Sequence, residues 1–469
     1  MSEDNLVRDV SRSLVGLGLT LPLFGVRQAV RIASASPADF RDAARSIDGV
    51  ARTARNNLDG VWHDVAQLGS CFEEILRQFV PPTVRSILRD PRQVPETAVG
   101  IAQRSLDALQ LVPEGLVSIG AAEVSSKLEV FCLVADAGAK IDAPPADTWP
   151  YPVNELVENA YQIDPYATLW AVEGLGQLYA VAALAQEPQP RGLLGPQVSS
   201  TLPAKSLLML HAGIGLGFAQ QRLTEATRRR TPGAAELEAV LADVVELCVT
   251  NSLPGYVGPA FESIGLVAIS FFPDLVPQID AALRAVGSQA VPYYWHGVGR
   301  GVYFLPINLV PGSGEQVFAT AIRLAPDEEA RLNSVAGAAW AVTLVAQRNP
   351  RIMCELYLGT IGETLARDGG FSNGVASSNI MRTDLTPGSG LVENFLDYQP
   401  PAQDGPEVAR LWKEQVLRPS QVGVRDVYPV LRRKQRLGEI FRYHDDLRAI
   451  GATTAVSTPA VTALGASGP

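Results

Sequence analysis

Four ionisable residues recur in one short pattern between Asp164 and Phe304. Asp164-Pro165 leads to Glu173, followed by Gly174 and Gly176, and Leu202-Pro203 leads to His211, followed by Gly213 and Gly215. Leu253-Pro254 leads to Glu262 and Gly265, and Val291-Pro292 leads to His296, Gly297 and Gly299. The ionisable residue stands eight positions after the proline in the first three units and four in the last. Alternating carboxylates and imidazoles allow three chemistries. They could ligate Fe, Mn or Zn, which accept mixed imidazole and carboxylate donors. A buried Glu could act as a metal-free general acid, because burial raises a carboxyl pKa towards neutrality. Or each Glu could simply pair with a His, since a charge buried alone costs on the order of several kcal/mol. The metal-ligand candidates are therefore Glu173, His211, Glu262 and His296. The catalytic candidates are Glu173, Glu262 and Arg300, the last one helical turn after His296 and suited to orient a substrate or to pair with either Glu.

Other motifs carry less. Gly370-Phe-Ser372-Asn-Gly374 matches the G-x-S-x-G nucleophile pattern, with His444 downstream. That pattern acts only on a strand-turn-helix elbow, and the residues before it read as a helix end. The glycine runs follow no strand and do not make a dinucleotide fingerprint. Neither H-E-x-x-H nor the Glu-x-x-His pair of di-iron bundles is present. His63 and His444 lie on charged stretches and read as surface residues.

The elements needed to position the four residues are helices. A proline in the first turn costs no hydrogen bond, and Asp164 is a natural cap. The glycines disfavour helix by roughly 1 kcal/mol each relative to Ala, so close helix-helix approach or a ligand must compensate. Thr231 to Val249 and Asp327 to Gln347 are further helices, the second opening with the acidic residues that a helix N-terminus prefers. Period-2 alternation is scarce, and the class is mainly α. We divide the chain into an amphipathic helical segment over 1–145, an internally duplicated helical core over 146–365, solenoid-like or bundle-like, an irregular cap with a basic helix over 366–450, and a disordered tail over 451–469. Gly370 to Gly390, rich in Gly, Ser and Asn, reads as a long loop or irregular cap. Tyr293, Tyr294, Trp295, Tyr303 and Phe304 near His296, with Trp170 and Tyr179 near Glu173, would suit an apolar cavity or plain core.

Composition narrows the partners. Over 469 residues the formal net charge is −10, which argues against a nucleic-acid surface. The cysteines Cys71, Cys132, Cys248 and Cys354 form no C-x-x-C pair and suit a reducing cytoplasm. Leu14 to Val26 is too short to span a membrane and is interrupted by Pro22, so a docked helix or peripheral membrane contact is expected there. The oligomeric state is open.

At Trp295-His-Gly-Val-Gly-Arg-Gly-Val-Tyr-Phe304, Val172-Glu-Gly-Leu-Gly176 and Leu210-His-Ala-Gly-Ile-Gly215 the chain resembles uncharacterised conserved proteins of actinobacterial enediyne and polyketide clusters. The resemblance covers about 165–305, departs from the family at His296, and implies a bacterial secondary-metabolism setting. The resulting expectation is a cytoplasmic enzyme acting on a hydrophobic polyketide- or terpene-like molecule, as a metal-dependent oxidase or an acid-catalysed cyclase. The competing expectation is a non-catalytic scaffold or lipophilic-ligand carrier.

Overall fold

The computed structural model describes residues 148–444, apart from 229, 288, 306, 307 and 309–312, together with positions 119, 120, 122, 123, 126, 127, 141 and 144. The Leu14 to Val26 stretch, His63, Cys71, Cys132 and the 451–469 tail lie outside the described residues. Among those residues every regular element is helical, and the fold is mainly α.

A short α1 (Val153–Ala160) precedes α2 (Thr168–Gln186), α3 (Leu207–Thr227), α4 (Ala234–Thr250) and α5 (Val257–Phe271). Then come α6 (Val276–Ala285), α7 (Val291–Tyr303), α8 (Gly314–Leu324) and α9 (Glu328–Ala346). A π-helical turn at Ile352–Leu358 runs into α10 (Gly359–Leu365), and α11 is Gly370–Leu385. Two starts have a local cause. Asp164 accepts the N–H groups of Tyr166 and Ala167 ahead of α2. Asp327 caps α9 by accepting the Ala330 N–H, with Glu328 and Glu329 in the first turn. Pro165, Pro203 and Pro254 sit in the turns just before α2, α3 and α5, rather than inside the helices. Glu173, Glu262 and His296 are each the sixth residue of their helix and His211 the fifth.

Six helices form the core, α2, α3, α5, α7, α9 and α11, each packed on the next. They are three copies of one parallel pair. In the first, a Cβ on Gly213 of α3 would overlap the Glu173 carbonyl of α2. In the second, a Cβ on Gly297 of α7 would overlap the Glu262 carbonyl of α5, and in the third Gly374 of α11 meets the Ala336 carbonyl of α9 in the same way. The pairs join in one register too. Gly215 lies against Ala260 and Gly299 against Ser334, each two residues past the pair's glycine and two before the next first-helix position. Ser263 Oγ donates to the Ala212 carbonyl at 2.7 Å, and its counterpart Gly337 lies against the His296 carbonyl. The chain closes back on itself in the same sense. Arg382, eight residues past Gly374, donates to the carbonyls of Pro165, eight before Glu173, and Tyr166. The glycines thus recover their helix cost through backbone-to-backbone approach, at distances that exclude any side chain.

The expected duplication is therefore extended by a third pair, and two expectations change. The 370–390 stretch, read as a loop, opens with α11, whose residues are mostly buried in the core. The two histidines are not equivalent, because His211 stands two residues before its pair's glycine and His296 one. His296 corresponds to Ala212 and Asn373, and His211 to Trp295.

Candidate functional site

Glu173, Glu262, Arg300 and His296 converge where the first two pairs meet. Both glutamates and His296 have no solvent exposure, and Arg300 has 3%. Arg300 Nη1 and Nη2 donate to the two carboxylate oxygens of Glu173 at 2.9 and 2.7 Å, a bidentate fork. Nη1 also donates to Glu262 Oε2 at 3.2 Å. The Arg300 guanidinium lies 4.7 Å from the centre of the Trp340 ring. Burial alone would lower the Arg300 pKa, but Glu173 and Glu262 together raise it. Burial raises the Glu173 pKa, against the opposing pull of Arg300. Both oxygens of Glu173 are engaged by the guanidinium.

The free edge of the cluster faces α9. Glu262 Oε1 lies 3.5 Å from His296 Nδ1, within ion-pair range but without a hydrogen bond, and neither that oxygen nor either His296 ring nitrogen has a hydrogen-bond partner among the described residues. The imidazole is walled by Trp340 and Phe441, whose rings lie 6.3 and 6.1 Å away.

His211 belongs elsewhere. Its Nδ1–H donates to the Leu207 carbonyl at 2.6 Å, and Nε2 accepts the Leu253 N–H at 3.1 Å. Nδ1 is therefore used within α3, and Nε2 ties that helix to the turn ahead of α5. Burial pushes its pKa down to about 4, so the ring is neutral at pH 7. A neutral imidazole whose single lone pair already accepts an N–H has none to give a metal. Among the described residues no group of three or more His, Cys, Asp or Glu is placed to hold a metal ion. The four proposed ligands thus divide into three at the cluster and one outside it, and two of those three are bound by Arg300.

The aromatic residues near His296 divide as well. Trp295 Nε1 donates to Asp280 Oδ1 at 2.7 Å and Tyr294 OH to the Val276 carbonyl at 2.8 Å, so both turn to α6. Tyr303, fully buried, instead has Lys127 Nζ over its ring at 3.9 Å. Lys127 also donates to the Asn308 carbonyl at 2.8 Å and lies 3.3 Å from Glu123, a second buried ion pair that the sequence did not signal. The G-x-S-x-G stretch fails as a nucleophile elbow. Ser372 lies in the first turn of α11 and donates to the Gly369 carbonyl, with no strand before it. His444 is partly buried, and burial lowers its pKa to about 3.

Searches against protein-family models, curated proteins and solved structures return no match for this chain.

Proposed function

We propose that the protein is a non-catalytic helical scaffold that carries a lipophilic small molecule, in the secondary-metabolism setting implied by the resemblance. The observation that supports this reading is the Arg300 clamp. One guanidinium satisfies three of the four oxygens of Glu173 and Glu262, out of solvent, and so links α2 of the first pair to α5 and α7 of the second. Groups held this way specify which helices meet, a use of buried polar networks that costs stability when one member is removed. On this reading the clamp sets the register between the first two pairs, and ligand handling lies elsewhere. The test is Glu173→Gln. A scaffold loses stability in proportion to the broken pair, whereas an enzyme working through Glu173 keeps its fold and loses turnover.

A second reading has one observation behind it, the unpartnered Glu262 Oε1 and His296 nitrogens. A carboxyl and an imidazole with free valences in an apolar wall suit acid catalysis on a hydrophobic polyketide- or terpene-like molecule. Product formation lost in both Glu262→Gln and His296→Ala, with folding retained, would favour it. A metal-dependent oxidase has less behind it, since His211 is spent on backbone groups. The cytoplasm remains the proposed compartment, on the scattered cysteines.

A further inference from the structure

Arg382 on α11 is fully buried, yet among the described residues no carboxylate lies within ion-pair distance of it. Its Nε donates to Gln347 Oε1 at 2.9 Å, and Nη1 reaches the Pro165 and Tyr166 carbonyls at 3.3 Å each. Nη2 has no partner. The nearby carboxylates face other cations. Asp164 holds Arg348 at 3.0 Å and the N–H groups ahead of α2, and Asp384 holds Arg432 and Tyr428 through Oδ1, while its Oδ2 has no hydrogen-bond partner among the described residues. Burial lowers the Arg382 pKa to about 10, which still leaves the guanidinium charged at neutral pH. A buried cation without a counter-ion is costly, and carbonyl dipoles offset it only in part.

The surroundings say what could complete it. Ser378, one helical turn earlier on the same face of α11, is also fully buried with an unpartnered hydroxyl. The rings of Tyr166 and Trp170 lie 5.3 and 5.9 Å from the guanidinium carbon. The position is also distinctive in the fold. The first two junctions between pairs are backbone against backbone at Gly215 and Gly299, whereas this third junction is bridged by the Arg382 side chain.

We propose that Arg382 and Ser378 form a binding site for the carboxylate of an apolar acid, whose hydrocarbon lies along Tyr166 and Trp170 in the junction between α11 and α2. This names the ligand class of the carrier reading above and rests on that reading for the hydrocarbon; the charged end rests on Arg382 alone. A carboxylate gives Nη2 its acceptor, offers the Ser378 hydroxyl another and neutralises the charge.

The probes are sodium decanoate, acetate and inorganic phosphate, with thermal unfolding and tryptophan fluorescence read on the full chain. Decanoate should raise the wild-type midpoint progressively with concentration, as mass action requires, and shift the fluorescence, with acetate and phosphate weaker at equal concentration. Arg382→Met should lose the decanoate response, whatever the variant's own midpoint, because the group that holds the carboxylate is gone. A destabilised Arg382→Met beside a wild type that ignores all three anions would overturn the site and make Arg382 a structural strap. A decanoate response that survives Arg382→Met would also overturn the site, while leaving the carrier reading standing. An equal response to phosphate or acetate would overturn the apolar class. Should Arg382→Met fail to fold, Ser378→Ala must weaken decanoate binding, and unchanged binding there counts against the site.

Discussion

Arg300 on α7 and Glu173 on α2 meet through two parallel N–H···O bonds of 2.9 and 2.7 Å, although 127 residues separate them in sequence. The first prediction concerns the partner they share. Arg300 also serves Glu262, so Glu262→Gln keeps the fork on Glu173 and should cost less than Glu173→Gln. Both losses should fall within the roughly 1–5 kcal/mol of damaged buried polar pairs, measured by urea unfolding. The reverse order would mean that the 3.2 Å contact, not the fork, dominates.

Removing a single Cβ allowance should be just as informative. Gly265→Ala and Gly337→Ala would push a methyl into the carbonyls of Tyr294 and His296. Overpacking of this kind costs typically ~1–3 kcal/mol, and rigid backbone on both sides puts these two at the upper end. Gly233→Ala, with nothing within 4 Å of the new atom, is the control and should be near neutral. Stabilisation by about 1 kcal/mol at Gly265 and Gly337, which helix propensity alone would give, would mean that close approach does not explain these glycines.

The third prediction is a pH dependence. His211 has its pKa lowered from the usual 6.5 to about 4 by burial. The unfolded chain therefore takes up a proton at His211 as pH falls below 6.5, and the folded chain does not until about 4. Stability is lost across that window, by about 3 kcal/mol for this group. Asp384 works in the opposite sense. Burial raises its pKa from 3.8 to about 6, so the folded state takes its proton first and gains relative stability as pH falls through that range. His444, whose pKa burial lowers to about 3, adds a loss of the same sign as His211, so His211→Gln should make the acid limb shallower than wild type in urea unfolding from pH 7 to 4 without abolishing it. An acid limb as steep as wild type in the variant would show that other groups set it.

Much of this was legible in the sequence because glycine and charge were both unusual there. Glu173 and Glu262 were found as equivalents because each sits in an apolar helix with a glycine three residues on, and the structure gives both the same backbone contact. The third pair escaped because Ala336 and Asn373 fill the slots that carry Glu262 and His296. Without ionisable residues only glycine spacing remained, and in Gly370-Phe-Ser-Asn-Gly374 that spacing looks like a loop. Poor intrinsic helix formers fold as α11 because burial against α9 outweighs propensity. His211 and His296 were paired by their distance from a proline and a glycine, a rule that tolerates an offset of one residue. On a helix that offset turns a side chain by about 100°, enough to send His211 to the Leu253 N–H and leave His296 at the cluster. Arg300 was singled out correctly as a partner for Glu173 or Glu262; that it binds both at once depends on distances no pattern carries.

Equilibrium unfolding of two variants decides whether the Glu173–Arg300–Glu262 cluster is a structural clamp. Arg300→Met alone strands two buried carboxylates and should cost about 3–5 kcal/mol. The triple variant Glu173→Leu, Glu262→Leu, Arg300→Met replaces the whole cluster by apolar side chains and should recover most of that loss, because no charge is left unpaired. An Arg300→Met protein as stable as wild type, or a triple variant no better than the single one, would show that the cluster is not a clamp.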